Sequence, residues 1–388
     1  MSRKVYLDNA ATTKIKKEVL EEMLPFFTEN YGNPSSIYSL GSTSKVAIEK
    51  SRDQIAKVIG ADTREIFFTG SGSESDNWAI KGVAYSNKKK GNHIITSKIE
   101  HHAVLHTCES LEKEGFEVTY LDVDENGTVD LQQLKDSIRD TTILITIMYA
   151  NNEIGTIQPI EEIGKIAKEN DIVFHTDSIQ VIGNTSINVD ELNIDLLSIS
   201  AHKFHGPKGV GALYIRRGVR IDNFISGGAQ ERNRRAGTEN VPGIVGMGKA
   251  IELAYENLEE HRNKMIELRD YAIEKIESSI DHVKLNGHRT NRLVNNANIS
   301  FEYIEGESLL LSLDMKGIAA SSGSACTSGS LDPSHVLMAI GLTHEIAHGS
   351  LRLSFSDFNT KEDVDYLVEN LIVIVERLRK MSPLYNKI

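Results

Sequence analysis

The sequence predicts an α/β protein: a mainly parallel sheet of the seven-stranded type with helices on both faces, plus a smaller α+β domain. Three observations carry that prediction. From about residue 65 to 215, short apolar runs alternate with amphipathic stretches at helical spacing. The run at 142–149 is almost continuously apolar, as strands buried on both faces of a parallel sheet are. Polar residues collect where the runs end: Ser73, His101, Asn152, Asp177, Gln180, Ser200, His202 and Lys203. The carboxyl ends of such strands are where α/β proteins bind ligands. The expected division is 15–255 for the large domain, and 1–14 with 256–388 for the small one.

In chain order, residues 5–13 read as a short extended segment and 16–28 as a helix, with Val19, Leu20, Met23 and Leu24 at helical spacing. Turn residues make a loop of 31–36, and 42–59 is a second amphipathic helix. The strand at 65–69 runs into Gly70-Ser71-Gly72-Ser73 and then a helix. That geometry offers backbone N–H groups and hydroxyls to a phosphate. The strand at 92–96 ends near Glu100-His101-His102, before another helix. Cys108 belongs to an apolar helical stripe and reads as core. Strand 116–121, helix 130–138, strand 142–149 and helix 160–170 follow. The strand at 172–177 ends on the Asp177 carboxylate, with Gln180 close behind.

The apolar run 196–200 breaks at Gly and Pro residues, and 211–215 is a further strand. Lys203 thus stands at a strand end between Ser200 and His202 on one side and His205 on the other. A lysine desolvated there loses its proton and becomes a nucleophile toward a carbonyl. A pyridoxal phosphate (PLP) enzyme needs such a lysine. The polar stretch 227–240, rich in arginine, is a solvated turn or reaches an anionic ligand or partner subunit. Residues 253–279 read as one long helix. In the smaller unit, 298–301 is a strand and 307–315 a helix. Residues 351–355 form a strand carrying Arg352, which can clamp a carboxylate, and 360–381 contains a closing helix. The stretch around 319–331 is built of small residues and predicts a mobile loop with Cys326 at its centre. An exposed thiol is a few per cent ionised at neutral pH and strongly nucleophilic.

Bulk composition narrows the class. The 388 residues are 40% hydrophobic and 25% charged with a net charge of -12, which gives no nucleic-acid footprint. No apolar run has signal-peptide or membrane-spanning character, so a cytoplasmic protein is expected. Two cysteines are too few for a disulfide framework or a cysteine-based metal site, and no metal is predicted.

Several motifs together resemble the cysteine desulfurases of the NifS/IscS type, within the fold type I PLP enzymes and the class V aminotransferase family. They are Tyr6-Leu7-Asp8-Asn9-Ala10-Ala11-Thr12-Thr13, Gly32-Asn33-Pro34-Ser35-Ser36, Glu74-Ser75-Asp76-Asn77, Glu100-His101, Asn151-Asn152-Glu153-Ile154-Gly155, His175-Thr176-Asp177, Ser200-Ala201-His202-Lys203, Arg235-Ala236-Gly237-Thr238 and Ser322-Gly323-Ser324-Ala325-Cys326-Thr327-Ser328. The resemblance implies conversion of L-cysteine to L-alanine, with sulfur taken as a persulfide on Cys326 for iron–sulfur cluster assembly or other acceptors. It implies that Lys203 bonds the cofactor aldehyde and that Asp177 faces the ring nitrogen. Gln180 would bond the ring oxygen, and His101 would stack on the ring and move a proton. Gly72, Ser73, Ser200 and His202 would hold the phosphate, and Asn152 would touch the cofactor. Asn33 and Arg352 would hold the substrate carboxylate. Thr238 would reach the phosphate of a second subunit, which makes a homodimer with shared sites. Tyr38, Ser178 and Ser356-Asp357 depart from the family pattern of His, Ala and Gly-Arg. The rival expectations are a selenocysteine lyase, another fold type I lyase or aminotransferase, and a PLP-binding scaffold without turnover.

Overall fold

The structure is a computed structural model that describes residues 3–322, 333–383 and 385. Its strands are β1 (Val5–Tyr6), β2 (Ile66–Thr69), β3 (His93–Ser97), β4 (Glu117–Leu121), β5 (Thr142–Thr146), β6 (Val173–Asp177), β7 (Leu196–Ser200), β8 (Gly211–Ile215), β9 (Val283–Asn286), β10 (Asn296–Phe301), β11 (Ile318–Ala319) and β12 (Ser350–Ser354). Seven of them form one sheet in the order β2-β8-β7-β6-β5-β3-β4. Only β8 runs against its neighbours; the other pairings are parallel. The central strands are buried along their whole length, as their continuous apolar character requires.

Helices cover both faces. The helix Ile160–Glu169 buries Ile160, Ile163, Ile166 and Ala167, one stripe at three- and four-residue spacing. It joins the large core that also holds Val241, Ile244 and Ile251. The opposite face is closed by Trp78, Ile80, Val83, Val104 and Leu111. Cys108 packs there, as expected, and burial pushes its thiol far above its ordinary value. Each of these large apolar side chains contributes about 1.5–3 kcal/mol by leaving water.

A second, antiparallel sheet has the order β12-β10-β9 and a core of its own. β1 pairs in parallel with β11. From there residues 7–13 cross to the large sheet. Asn9 Nδ2 donates to the Ser354 carbonyl at 2.8 Å, and Thr13 Oγ1 donates to the His202 carbonyl at 2.9 Å. This strap ties the two sheets together.

Two expected helices are each divided. The 16–28 stretch forms Lys17–Met23 and Pro25–Thr28, because Pro25 has no N–H to continue the ladder. The 253–279 stretch breaks at Asn257, between Val241–Glu256 and Leu258–Ser279. The first of these buries Ala250, Ile251 and Ala254 in the large core, the second Leu268, Ala272 and Ile276 in the small one. One straight stripe cannot face both.

Candidate active site

The ends of β2, β3, β5, β6 and β7 surround a cavity of about 320 Å³. Gly72, Ser73, His101, Asn152 and Asp177 line it, with Gln180, Ser200, His202, Lys203 and Arg352. The sequence singled out all ten. A wider cleft of about 730 Å³ opens elsewhere, where Lys90 pairs with Asp171 and Arg216 with Asp190.

Lys203 ends a tight turn, Ala201–Lys203, that follows β7. Its Nζ donates to the carbonyl oxygens of Ala10 and Ala11 at 2.5 and 2.9 Å. Asp177 closes β6, buried, and its Oδ1 accepts the Ile179 N–H at 2.9 Å. Burial pushes its carboxyl above the usual range, against the pull of that N–H and of Lys203. Gln180 Nε2 donates to the Ala10 carbonyl at 3.1 Å.

His101 caps the helix His102–Glu112: its Nδ1 accepts the Ala103 N–H at 3.1 Å. An accepting Nδ1 carries no proton, so the neutral ring is the Nε2–H tautomer. Burial, then Lys203, lowers its pKa to about 4. His202 is lowered to about 4 by the same two causes, and its Nδ1 lies 3.1 Å from Thr12 Oγ1.

Ser71 caps the helix Gly72–Asn87, its Oγ accepting the Glu74 N–H at 3.1 Å. The Gly72 and Ser73 N–H groups have no partner within the helix, which makes this corner ready for an anion. A Cβ on Gly72 would lie 2.2 Å from Ile179 Cδ1 and 3.2 Å from Ser200 Cβ, so the corner stays open only with glycine.

At the mouth, Arg352 is buried in mid-β12. Nη1 donates to the Asn152 carbonyl at 3.2 Å and Nη2 to Asp8 Oδ1 at 2.9 Å. Its Nε is buried without a hydrogen-bond partner. Beside it Glu153 accepts the Ser334 hydroxyl, and burial pushes its carboxyl up to about 7 against the pull of Ser334 and Arg352.

Three expected residues are not placed at the cavity. Asn33 is exposed in a loop, its Oδ1 accepting the Ser35 N–H at 2.9 Å. Thr238 is exposed and does not line the cavity of its own chain. Cys326 lies outside the described residues. Asp8 and the Ala10 and Ala11 carbonyls were not anticipated as site groups. Asp8 stood in a quoted motif, but no spacing links residue 8 to residue 352, and backbone carbonyls leave no signature in a sequence.

A model of the aminotransferase class-V family matches residues 5–367. The chain belongs to this family. The cysteine desulfurase IscS of Clostridium botulinum (strain Hall) is 62% identical over 387 residues, 99% of this chain and 98% of that protein. The cysteine desulfurase IscS of Methanosarcina thermophila is 63% identical over 386 residues, covering 100% and 95%. A solved NifS-like protein superposes with a TM-score of 0.92 at 42% identity, over 97% of this chain and 100% of that one.

These class-V enzymes depend on PLP. The cavity fits that group on its own terms. The open corner at Gly72 and Ser73 suits a phosphate, and Asp177 offers a buried carboxyl to a ring nitrogen. Lys203 supplies an amine from the same wall. Of the departures from the family pattern, Tyr38 is exposed and Asp357 pairs with Lys16 at 2.7 Å. Ser178 is buried with its hydroxyl unpartnered.

Proposed function

We propose that this class-V protein is a cysteine desulfurase. It converts L-cysteine to L-alanine and takes the sulfur as a persulfide on Cys326, for delivery to iron–sulfur cluster assembly or another acceptor. The observation that carries the reading is the single cavity joining Lys203 and Asp177 to an arginine with a spare buried donor, Arg352 Nε.

Bound PLP supplies an electron sink for the bond broken at Cα. Lys203 Nζ would hold the cofactor's aldehyde and would be the base placed to take the Cα proton. Asp177 sets a negative charge against the ring nitrogen. Gly72 and Ser73 would hold the phosphate with Ser200 and His202, and Gln180 would bond the ring oxygen. His101 would stack on the ring, neutral, with its Nε2–H as a hydrogen-bond donor. Arg352 Nε donates to the substrate carboxylate, the charge-assisted bond it lacks in the chain alone. The thiolate of Cys326 attacks the substrate sulfur; the S–S bond forms as the Cβ–S bond breaks, and its electron pair stays with the carbon that, once protonated, is the alanine methyl.

The working unit is a homodimer in which Thr238 completes the partner subunit's phosphate site. Its support is the run of exposed apolar side chains Leu20, Leu24, Phe27, Ile37 and Val46, from the first helices through the loop into the helix Ser39–Ile59. Among the described residues no helix is long and apolar enough to cross a membrane, and the setting proposed is the cytoplasm.

The test is release of alanine and sulfide from L-cysteine with a thiol reductant, wild type against Cys326→Ala, alongside the yellow absorption of bound PLP. Both proteins are expected to be yellow and only the wild type to turn over. Full activity in the variant would favour another lyase or an aminotransferase. Preference for selenocysteine over cysteine would favour the selenocysteine lyase. Two colourless proteins would overturn the Lys203 assignment.

A further inference from the structure

Behind the cavity floor lies a buried carboxyl to which no role has been given. Asp76 sits one turn into the helix Gly72–Asn87, fully buried, and neither of its oxygens has a hydrogen-bond partner. The helix turns it toward β6, where His175 Nε2 lies 3.7 Å from its Oδ1. His175 is held at both ring nitrogens, by Thr146 Oγ1 at 2.8 Å and by Ser198 Oγ of β7 at 3.0 Å. Asp177 is two residues further along the same strand as His175. Glu100 is buried nearby and accepts the Ser97 hydroxyl at 2.6 Å and the Met148 N–H at 3.0 Å.

Asp76, Asp177 and Glu100 therefore share a region shielded from water, where Asp177 and Glu100 raise the cost of charging Asp76, and Asp177 that of charging Glu100. Their claims to a negative charge are unequal. Asp177 has a backbone donor and the Lys203 ammonium. Glu100 has a hydroxyl and a backbone donor. Asp76 makes no hydrogen bond, and only the nearby Ser198 hydroxyl, itself engaged with His175, eases its charging, so an ionised Asp76 would be the most costly of the three. His175 does not offset this as a cation, since burial lowers its pKa to about 3. A protonated Asp76 is at once donor and acceptor. A shift of about 0.5 Å brings its O–H within hydrogen-bond range of His175 Nε2.

We propose that Asp76 is a positioning residue for Asp177: a neutral acid, hydrogen-bonded into the His175–Ser198 pair, that leaves Asp177 as the charged carboxyl facing the ring nitrogen of PLP. This rests on Asp177 facing the cofactor, as proposed above.

The full chain with carbon-13-labelled aspartate tests it by infrared spectroscopy at neutral pH. The wild type is expected to show the stretch of a protonated, labelled carboxyl, and Asp76→Asn to lose it. Thermal unfolding of the cofactor-free chain gives a second readout. A carboxyl raised above its unfolded value supports stability below that value and loses it as pH rises, and the amide cannot. The Tm of Asp76→Asn minus that of the wild type should therefore grow from pH 5 to pH 8. PLP affinity is expected to stay within about threefold in Asp76→Asn and to fall at least about tenfold in Asp177→Asn. A wild type without the acid band, parallel pH profiles, or equal losses of PLP affinity would each overturn the proposal. A persisting acid band with unchanged PLP affinity in Asp177→Asn would overturn the role of Asp177, and the positioning role with it. If the Asp76 variant does not fold, the labelled wild-type spectrum alone decides whether the acid is there.

Discussion

The floor and the mouth of the cavity are built on different physics. The floor is made of strand ends in a parallel sheet. Its groups are displaced from their ordinary protonation mainly by burial, Asp177 upward and His101 and His202 downward. The mouth is assembled from three separate stretches of chain, Asp8, Asn152 and Arg352, held by an ion pair and a carbonyl. Burial tunes reactivity without a partner, whereas pairing fixes a charge in place. The floor is accordingly suited to chemistry and the mouth to selecting what enters.

The sharpest break of that comparison is at the floor. Lys203→Ala is expected to lower alanine release by at least about 10³-fold. At the mouth the effect should fall on binding: Arg352→Lys is expected to raise KM for L-cysteine about tenfold to a hundredfold with little change in kcat. A loss in kcat alone would erase the distinction. Glu153 lies beside Arg352 at the mouth, with a pKa raised from 4.5 to about 7 by burial. Its stabilising contribution is full below its unfolded value and is lost as pH rises through 7. Glu153→Gln should therefore flatten the fall of Tm between about pH 4.5 and 7, read by thermal unfolding of both proteins. Asp8→Asn should raise KM only about two- to fivefold, because Asp8 is partly exposed. Ser178→Ala is expected to be the mildest: it removes an unpartnered buried hydroxyl and should stabilise the chain by up to about 1 kcal/mol in denaturant unfolding.

The floor was legible in the sequence and the mouth only in part, for the same physical reason. Strand ends announce themselves, because an apolar run that stops on Asp177 or at Ser200-Ala201-His202-Lys203 marks both the element and the side chain it presents. Arg352 was visible as a lone charge in an apolar strand, but its partner Asp8 lies 344 residues away and no local pattern points to it. The divided helices show the same limit: periodicity marked the apolar positions on both sides of Asn257, yet not that they face two cores. β9 carries too little alternation of burial to announce itself, with one fully buried residue in four. Asp76 stood in one of the family motifs, but that its oxygens make no hydrogen bond is a property of the fold alone.

The strap from β1 to Thr13 has a consequence for the order in which this protein comes into being. Asn9 closes on Ser354, 345 residues later, and Ala11 takes its bond from Lys203 after 192. At about 5–20 residues per second of synthesis, the interval between Asn9 and Ser354 lasts about 20–70 s. Through that time the large sheet can gather its strands, while the segment that bonds the site lysine and supplies Asp8 waits for the strand that will hold it. The site is thus among the last parts of the molecule to be completed, and a ribosome stalled before β12 would carry a large sheet whose catalytic pocket has no finished mouth.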